Sequence, residues 1–358
     1  MDPADLNKLQ AELESYADSY TIGKSEDSNI TMVTSALLSE PSQDFPLEYH
    51  LAKAKEIADL LKDVSKFIPP FRAVFSPEDN PVMAADWALK SQALQAAAAR
   101  TCTYITPSES ALQCPCSLTD INISEPPLVK HLGWPSACSP DSLLRHTIFD
   151  FDVPPPLPTK KTFIYDHLKA MDPCSHPSLL HHHGQFLRHN PGPIPQQIMI
   201  PMFSYCSTSM HHNIVTAVKW TEDFDIDPKF HDRLDERLSW RGTTTGMQKA
   251  KFVETRWRNL PRIRLVGWAN ERNGTAPVLP PTKLPNERVG EARPIAKARL
   301  NPAMLDVTFI GKPHSCTQSV CEIIAEEFEF RDWQDEATAA NYKYVLDVSN
   351  LCHSPMMC

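Results

Sequence analysis

The residues best equipped for chemistry in this 358-residue chain lie in Leu238-Ser-Trp-Arg-Gly-Thr-Thr-Thr-Gly246. The pattern predicts a strand, a tight turn and the start of a helix. Such a turn exposes backbone N–H groups at the positive end of a helix dipole, which suits a phosphate. Arg241 would add a planar fork of donors able to grip a diphosphate with two bonds. Thr243, Thr244 and Thr245 can cap the helix or bind phosphate oxygens. Lys249, Lys251, Arg256 and Arg258 fall on the helix predicted behind the turn. The plainer reading is a capped turn with a solvated basic helix face, and spacing alone leaves both readings open.

Two further sets of residues invite a chemical reading. Ser76-Pro-Glu-Asp-Asn-Pro81 is a turn whose carboxylate, Asp79, could take a proton, although Asp and Asn in turns commonly bond only their own backbone. The histidines at 176, 181–183, 211 and 212 suggest a metal site. Their spacings match neither H-E-x-x-H nor paired C-x2-C, and consecutive histidines cannot all face one ion on a regular helix, so the plainer reading is a solvated or partly buried cluster. Cys114 and Cys116 are the one close pair among ten cysteines. The cysteines read either as buried thiols or as secretory disulfides, and sequons at Asn29, Asn122 and Asn273 lean toward the second.

Composition narrows the classes. With 35 basic against 44 acidic residues, the net charge of -9 argues against a nucleic-acid partner. No G-x-G spacing occurs, and Gly246 is followed by Met247-Gln248 rather than Lys-Ser/Thr. The dinucleotide fingerprint and the P-loop are therefore both absent. No charged-then-apolar leader opens the sequence and no apolar run of ~18 residues occurs. A membrane would be met only through an anchor outside this chain.

The elements that must position these residues follow from hydrophobic periodicity. Leu6, Leu9 and Leu13 predict an amphipathic helix over 1–20, and Leu51, Ala54, Ile57, Ala58 and Leu61 a second over 50–64, with a loop between them. A strand is predicted over Phe67–Phe75 and a helix over Met83–Ala99 with Trp87 on its packed face. Residues 101–160, rich in Pro, Cys and Ser, read as a long surface insertion. Further strands are expected at Ile198–Phe203, Arg237–Trp240, Arg262–Gly267, Leu305–Ile310 and Tyr344–Val348. Phe203 and Trp220 read as core. Strands alternating with helices indicate an α/β fold with parallel sheets. The domain expectation is an N-terminal helical segment over 1–64, then units over 65–222 and 223–358.

Several pieces, in order, resemble glycosyltransferase family 90 of the fungal capsule-associated type, related to protein O-glucosyltransferases. Trp240-Arg-Gly-Thr-Thr-Thr-Gly246 is similar to its W-R-G-S/T-x-T-G signature. Phe75-Ser-Pro-Glu-Asp-Asn-Pro81 resembles its D-x-P turn, and Asp86-Trp-Ala-Leu-Lys90 the segment after it. Lys161–His167, Asp172–Pro177 and Phe203–His212 are similar to pieces of the fungal branch, and Tyr342-Lys-Tyr344 to its aromatic–Lys–aromatic segment.

The resemblance implies a GT-B fold of two facing Rossmann-like domains, an acceptor side over 65–222 and a donor side over 223–358. It implies inverting transfer of glucose or xylose from a UDP-sugar to a hydroxyl of a glycan or protein, without metal or other cofactor, in the ER or Golgi. Asp79 would be the base. Arg241, Gly242, Thr243, Thr245, Arg256, Tyr342 and Lys343 would bind the donor, and Trp87 and His212 would lie on the acceptor side. His212 matches a family histidine that precedes Asp-Ile, whereas this chain has Asn213.

Ser349–Cys358 departs from the family's donor-sugar loop, and the stretch from Asp223 to Asp347 is short for a complete nucleotide-binding half. A C-terminally incomplete second domain and little transfer by this polypeptide are therefore expected. The alternative function is a truncated, inactive paralogue that binds carbohydrate or protein. A third reading is a histidine-based metalloenzyme.

Overall fold

The computed structural model describes residues 19–27, 30–34, 47–78, 81–99, 133–147, 164–182, 202–216, 228–246, 256–282, 288–346 and 348, with positions 14, 186, 192, 193, 195, 284 and 286. The chain divides into two units, Met1–His181 with His189–Trp220 and Leu351–Cys358, and His182–Arg188 with Thr221–Asn350. The architecture is α/β, and the described residues form a mixed five-stranded sheet, a parallel four-stranded sheet and an antiparallel two-stranded one.

In the first unit, β1 (Tyr20–Lys24) and β2 (Ile30–Thr34) form an antiparallel hairpin. This corrects the loop read between the first two predicted helices. Tyr-Thr-Ile and Ile-Thr-Met-Val-Thr are rich in β-branched and aromatic residues, and a polar turn separates them. The helix predicted over 1–20 lies almost wholly outside the described residues. Helix α1 (Leu47–Lys62) buries Ala54, Ile57 and Ala58 at helical spacing. It is followed by β3 (Phe71–Phe75), which is shorter than predicted because Ser65–Phe67 forms a 3-10 turn.

Helix α2 (Trp87–Ala98) starts later than Met83, because Asp86 caps it by accepting from the Leu89 N–H at 3.1 Å. Strands β4 (Met202–Ser204) and β5 (Ile214–Val215) complete a sheet of order β2-β1-β3-β4-β5, in which β3, β4 and β5 run parallel. Tyr20, Ile22 and Phe75 pack with Ala54 and Ile57 of α1, whereas Val74 and Met202 pack with Met83. Within the predicted insertion, residues 133–147 are described, and Cys138 is joined by a disulfide to Cys174.

The second unit begins its sheet with β6 (Asp235–Gly242). Helix α3 (Pro261–Asn270) follows, then the hairpin β7 (Thr275–Val278) and β8 (Arg293–Ala296), α4 (Lys297–Met304) and β9 (Leu305–Ile310). Next come α5 (Gln318–Glu327), β10 (Phe330–Arg331), α6 (Glu336–Ala340) and β11 (Tyr342–Val345). The strand predicted at Arg262–Gly267 is thus part of a helix. Ile263, Val266 and Ala269 are buried at three-residue spacing, and Pro261 occupies the first helical turn, where its missing N–H does no harm.

The four-stranded sheet has the order β10-β9-β6-β11, and every pairing is parallel. In chain order this reads 3-2-1-4, the order in which doubly wound sheets begin. Successive strand residues face opposite sides. Trp240, Val307 and Phe309 enter a core with Ile263 and Val266 of α3 and Val320 and Ile324 of α5. Arg237, Arg241, Asp306 and Thr308 alternate with them toward the other face.

Candidate functional site

In a sheet of this order the strands part at the topological switch point, and ligands bind in the crevice outside their carboxyl ends. The switch lies between β6 and β11. The carboxyl end of β6 delivers the chain into Thr243-Thr-Thr-Gly246. Gly242 must lack a side chain, because a Cβ there would lie 2.6 Å from Trp240 Cζ2, and that indole is fixed in the core. Gly246 has φ 92°, a left-handed conformation suited to glycine.

Each threonine has a defined role in the turn. Thr244 is buried; its hydroxyl donates to the His314 carbonyl and accepts from the His314 N–H, both at 2.9 Å. The turn is thereby fixed to the loop beyond β9, which the Cys316–Cys321 disulfide ties to α5. The Thr243 and Thr245 hydroxyls lie 3.1 Å apart. Arg262 Nη1 donates to the Thr243 carbonyl at 3.1 Å and to Thr245 Oγ1 at 2.6 Å. Arg262 Nε donates to the Val348 carbonyl, just past β11, at 3.0 Å.

Arg241 does not join this turn. Its Nη1 donates to the Asp306 and Trp240 carbonyls at 2.6 and 3.1 Å, and its Nη2 to Asp306 Oδ1 at 2.8 Å. Asp306, 7% exposed, is the hub of the sheet's polar face. Arg331 Nη1 donates to its Oδ1 at 3.1 Å, Arg237 Nη2 lies 3.2 Å from its Oδ2, and the Tyr342 hydroxyl donates to Oδ2. Burial would raise the Asp306 pKa, but the bonds from Tyr342 and Arg241 and the neighbouring guanidinium charges outweigh it and hold the carboxyl below its ordinary value. The Tyr342 phenol is pushed up by burial and by its bond to Asp306. Beside the hub, near the amino ends of β6 and β9, lies a cavity of about 100 Å³ lined by Arg237, Arg272, Asn301, Glu329 and Arg331.

The other expected donor residues sit apart. Arg256 is buried and engaged at the turn leading to Trp257. Arg258 stacks on Trp257 at 4.0 Å and pairs with Glu327. Lys343 Nζ donates to Glu236 at 2.7 Å. Lys249 and Lys251 lie outside the described residues. The structure therefore groups Gly242, Thr243 and Thr245 in one turn and joins Arg241 to Tyr342 through Asp306. Asp306 and Arg262 were missed. Pro261 was the available signal for the helix that presents Arg262, and a carboxylate inside the apolar strand Leu305–Ile310 was the signal for Asp306.

In the first unit, the carboxyl ends of β3 and β4 lead into two segments that are stitched together. The Ser76 N–H donates to the Phe203 carbonyl at 2.8 Å, the His212 N–H to the Met83 carbonyl at 3.0 Å, and the Ala85 N–H to the Met210 carbonyl at 2.9 Å. Asn213 Oδ1 accepts from the Met83 N–H at 2.9 Å. Asp79 lies outside the described residues, whereas both ends of its turn, Ser76 and Pro81–Met83, are buried or half-buried. Trp87 opens α2, half-buried.

His211 accepts or donates at Thr208 Oγ1, 2.7 Å away, and packs edge-on to Trp134. Burial, His212 and Lys90 lower its pKa to about 3; burial and Lys90 lower that of His212 to about 4. Both are neutral imidazoles at pH 7. The two ring nitrogens of His212 and the Asn213 Nδ2 have no hydrogen-bond partner among the described residues.

Among the described residues, no three His, Cys, Asp or Glu side chains gather as a metal requires, and no helix is long and apolar enough to cross a membrane. Comparison with protein-family profiles, with curated proteins and with solved structures finds no match for this chain.

Proposed function

We propose that the chain is built as an inverting glycosyltransferase of the family 90 type, moving glucose or xylose from a UDP-sugar to an acceptor hydroxyl. One observation carries the reading. The turn Gly242–Gly246, which holds the family-like signature, lies at the switch point of a parallel sheet of order 3-2-1-4. That is where a doubly wound sheet receives phosphates. The diphosphate of the donor would sit against this turn, and the charge developing on departing UDP would be stabilised there without a metal.

The acceptor would be met by the first unit, with Asp79 taking the hydroxyl proton. The GT-B arrangement of two facing domains and the ER or Golgi setting belong to this proposal. In a complete version of the enzyme, Asp79→Asn is expected to reduce transfer by about 10²–10⁴-fold with UDP affinity retained. An assay of UDP release from UDP-glucose and UDP-xylose checks this, and near-wild-type turnover by the variant would remove Asp79 from the mechanism.

A second reading, a carbohydrate- or protein-binding remnant, is favoured by one feature. Arg241 and Tyr342, both expected at the donor, are bonded to Asp306. Ligand binding without turnover would select it.

A further inference from the structure

Arg262 belongs to none of the motifs that drew attention to this chain, yet its guanidinium touches both lips of the switch point. Among the described residues it donates to the Thr243 carbonyl, Thr245 Oγ1 and the Val348 carbonyl, which come from the segments that leave β6 and β11. The guanidinium also lies 5.8 Å from the Trp240 ring, whose indole sets the position of Gly242.

We propose that Arg262 is the positioning residue of a diphosphate-binding site at this switch point. The proposal rests on the donor-nucleotide reading above and names the group that shapes its site.

A turn binds an anion only if it presents N–H groups and turns its carbonyls away. Here the carbonyls on both lips that would repel a phosphate, those of Thr243 and Val348, are covered by Arg262. The Thr244 hydroxyl is fully used by His314. The backbone N–H groups of Thr243, Thr244 and Gly246 have no acceptor among the described residues. Those three N–H groups therefore face away from the described acceptors, and the Arg262 cation behind the turn adds a favourable field for an anion. A lysine could not replace the arginine, because the three acceptors lie in two directions and require Nη1 and Nε of one planar fork.

The test is calorimetric titration of the full chain and of Arg262→Lys with inorganic pyrophosphate, UDP and uridine, with thermal melting of each protein. We expect wild type to bind pyrophosphate and UDP and to bind uridine much more weakly. Arg262→Lys should weaken pyrophosphate and UDP about tenfold or more, leave uridine unchanged and melt within a few degrees of wild type. If Arg262→Lys does not fold, Thr245→Val supplies the test, since it removes one acceptor of the fork without altering charge; a loss of several-fold for pyrophosphate is expected.

Equal affinities in wild type and variant overturn the role of Arg262 and leave the nucleotide reading standing. Pyrophosphate binding that depends on Arg262, without UDP binding, supports the anion site and overturns the UDP-sugar reading. Binding of neither pyrophosphate nor UDP by wild type overturns the proposal.

Discussion

Beyond β3 and β4, in the first unit, two buried imidazoles are neutral although a cation stands beside them, Lys90 Nζ donating to the Ser209 carbonyl at 2.9 Å. His211 and His212 are kept uncharged by burial, and the amide of Asn213 holds the Met83 backbone. In the second unit, the polar face of the sheet is ionic, with three arginines and a tyrosine converging on Asp306 and another arginine at the turn beyond β6. Burial is the common constraint, met in two ways. A buried imidazole avoids the penalty of an unpaired charge by losing its proton, whereas a buried carboxylate keeps its charge when enough donors surround it. At the hub the guanidinium charges are balanced by Asp306, whereas Arg262 meets only neutral acceptors among the described residues.

The largest loss is expected at the ionic hub. Asp306→Ala would leave Arg237, Arg241 and Arg331 around a missing anion and should destabilise the protein by about 3–5 kcal/mol, the range for removing one partner of a buried ion pair. Denaturant unfolding would measure it; a loss below about 1 kcal/mol would mean that the guanidinium groups simply turn to water.

Disulfides offer a second contrast. Cys138–Cys174 closes a separation of 36 residues in the first unit, and Cys316–Cys321 one of 5 in the second. In the chain-entropy account, replacing the first pair by serine costs about 4 kcal/mol and the second about 2 kcal/mol. Melting of the two double variants should keep that order, and the reverse order would show that local packing decides instead.

The pH dependence should separate the units. The folded pKa of His212 is about 4 against an ordinary 6.5, so the unfolded chain binds the proton first. Stability is complete above about 6.5 and declines as pH falls toward 4, by on the order of 3 kcal/mol for this histidine. The Asp306 carboxyl is lowered, so its contribution is present above the ordinary 3.8 and is lost only as pH falls below it. Hydrogen exchange at pH 7 and pH 5, corrected for intrinsic rates, should show loosening around Met83 and His212 before β6 and β9. Simultaneous loosening would contradict the assignment of charge states.

The smallest expected effect is at the turn. Gly242→Ala forces a Cβ against the Trp240 ring and should cost about 1–3 kcal/mol. A variant as stable as wild type would mean that the indole can move aside.

The parts of this arrangement that follow local rules were legible. The strand ending at Gly242 and the strand Leu305–Ile310 show apolar alternation, and α1 shows helical spacing. The hairpin β1–β2 and helix α3 were misread for opposite reasons. The first was masked by polar residues in its turn. The second has a run, Arg262-Ile-Arg-Leu-Val, that alternates like a strand although Ile263, Val266 and Ala269 carry the helical period. The site was half legible. Gly242, Thr243 and Thr245 act through a local turn that sequence displays. Asp306 and Arg262 act across 65 and 17–19 positions of chain, and no local pattern encodes those distances. Arg241 shows the same limit, since its residue type suggested a phosphate and its tertiary neighbour is a carboxylate.

A nucleoside diphosphate is expected to bind at the switch point of the second unit. Titrating isotope-labelled protein with UDP and following backbone amide signals tests it most directly. We expect shifts concentrated at Thr243, Thr244, Gly246 and Val348, with the Asp306 hub and the first unit little changed. An absence of shifts, or shifts centred on the Arg237–Arg331 cavity or on His212, would contradict it.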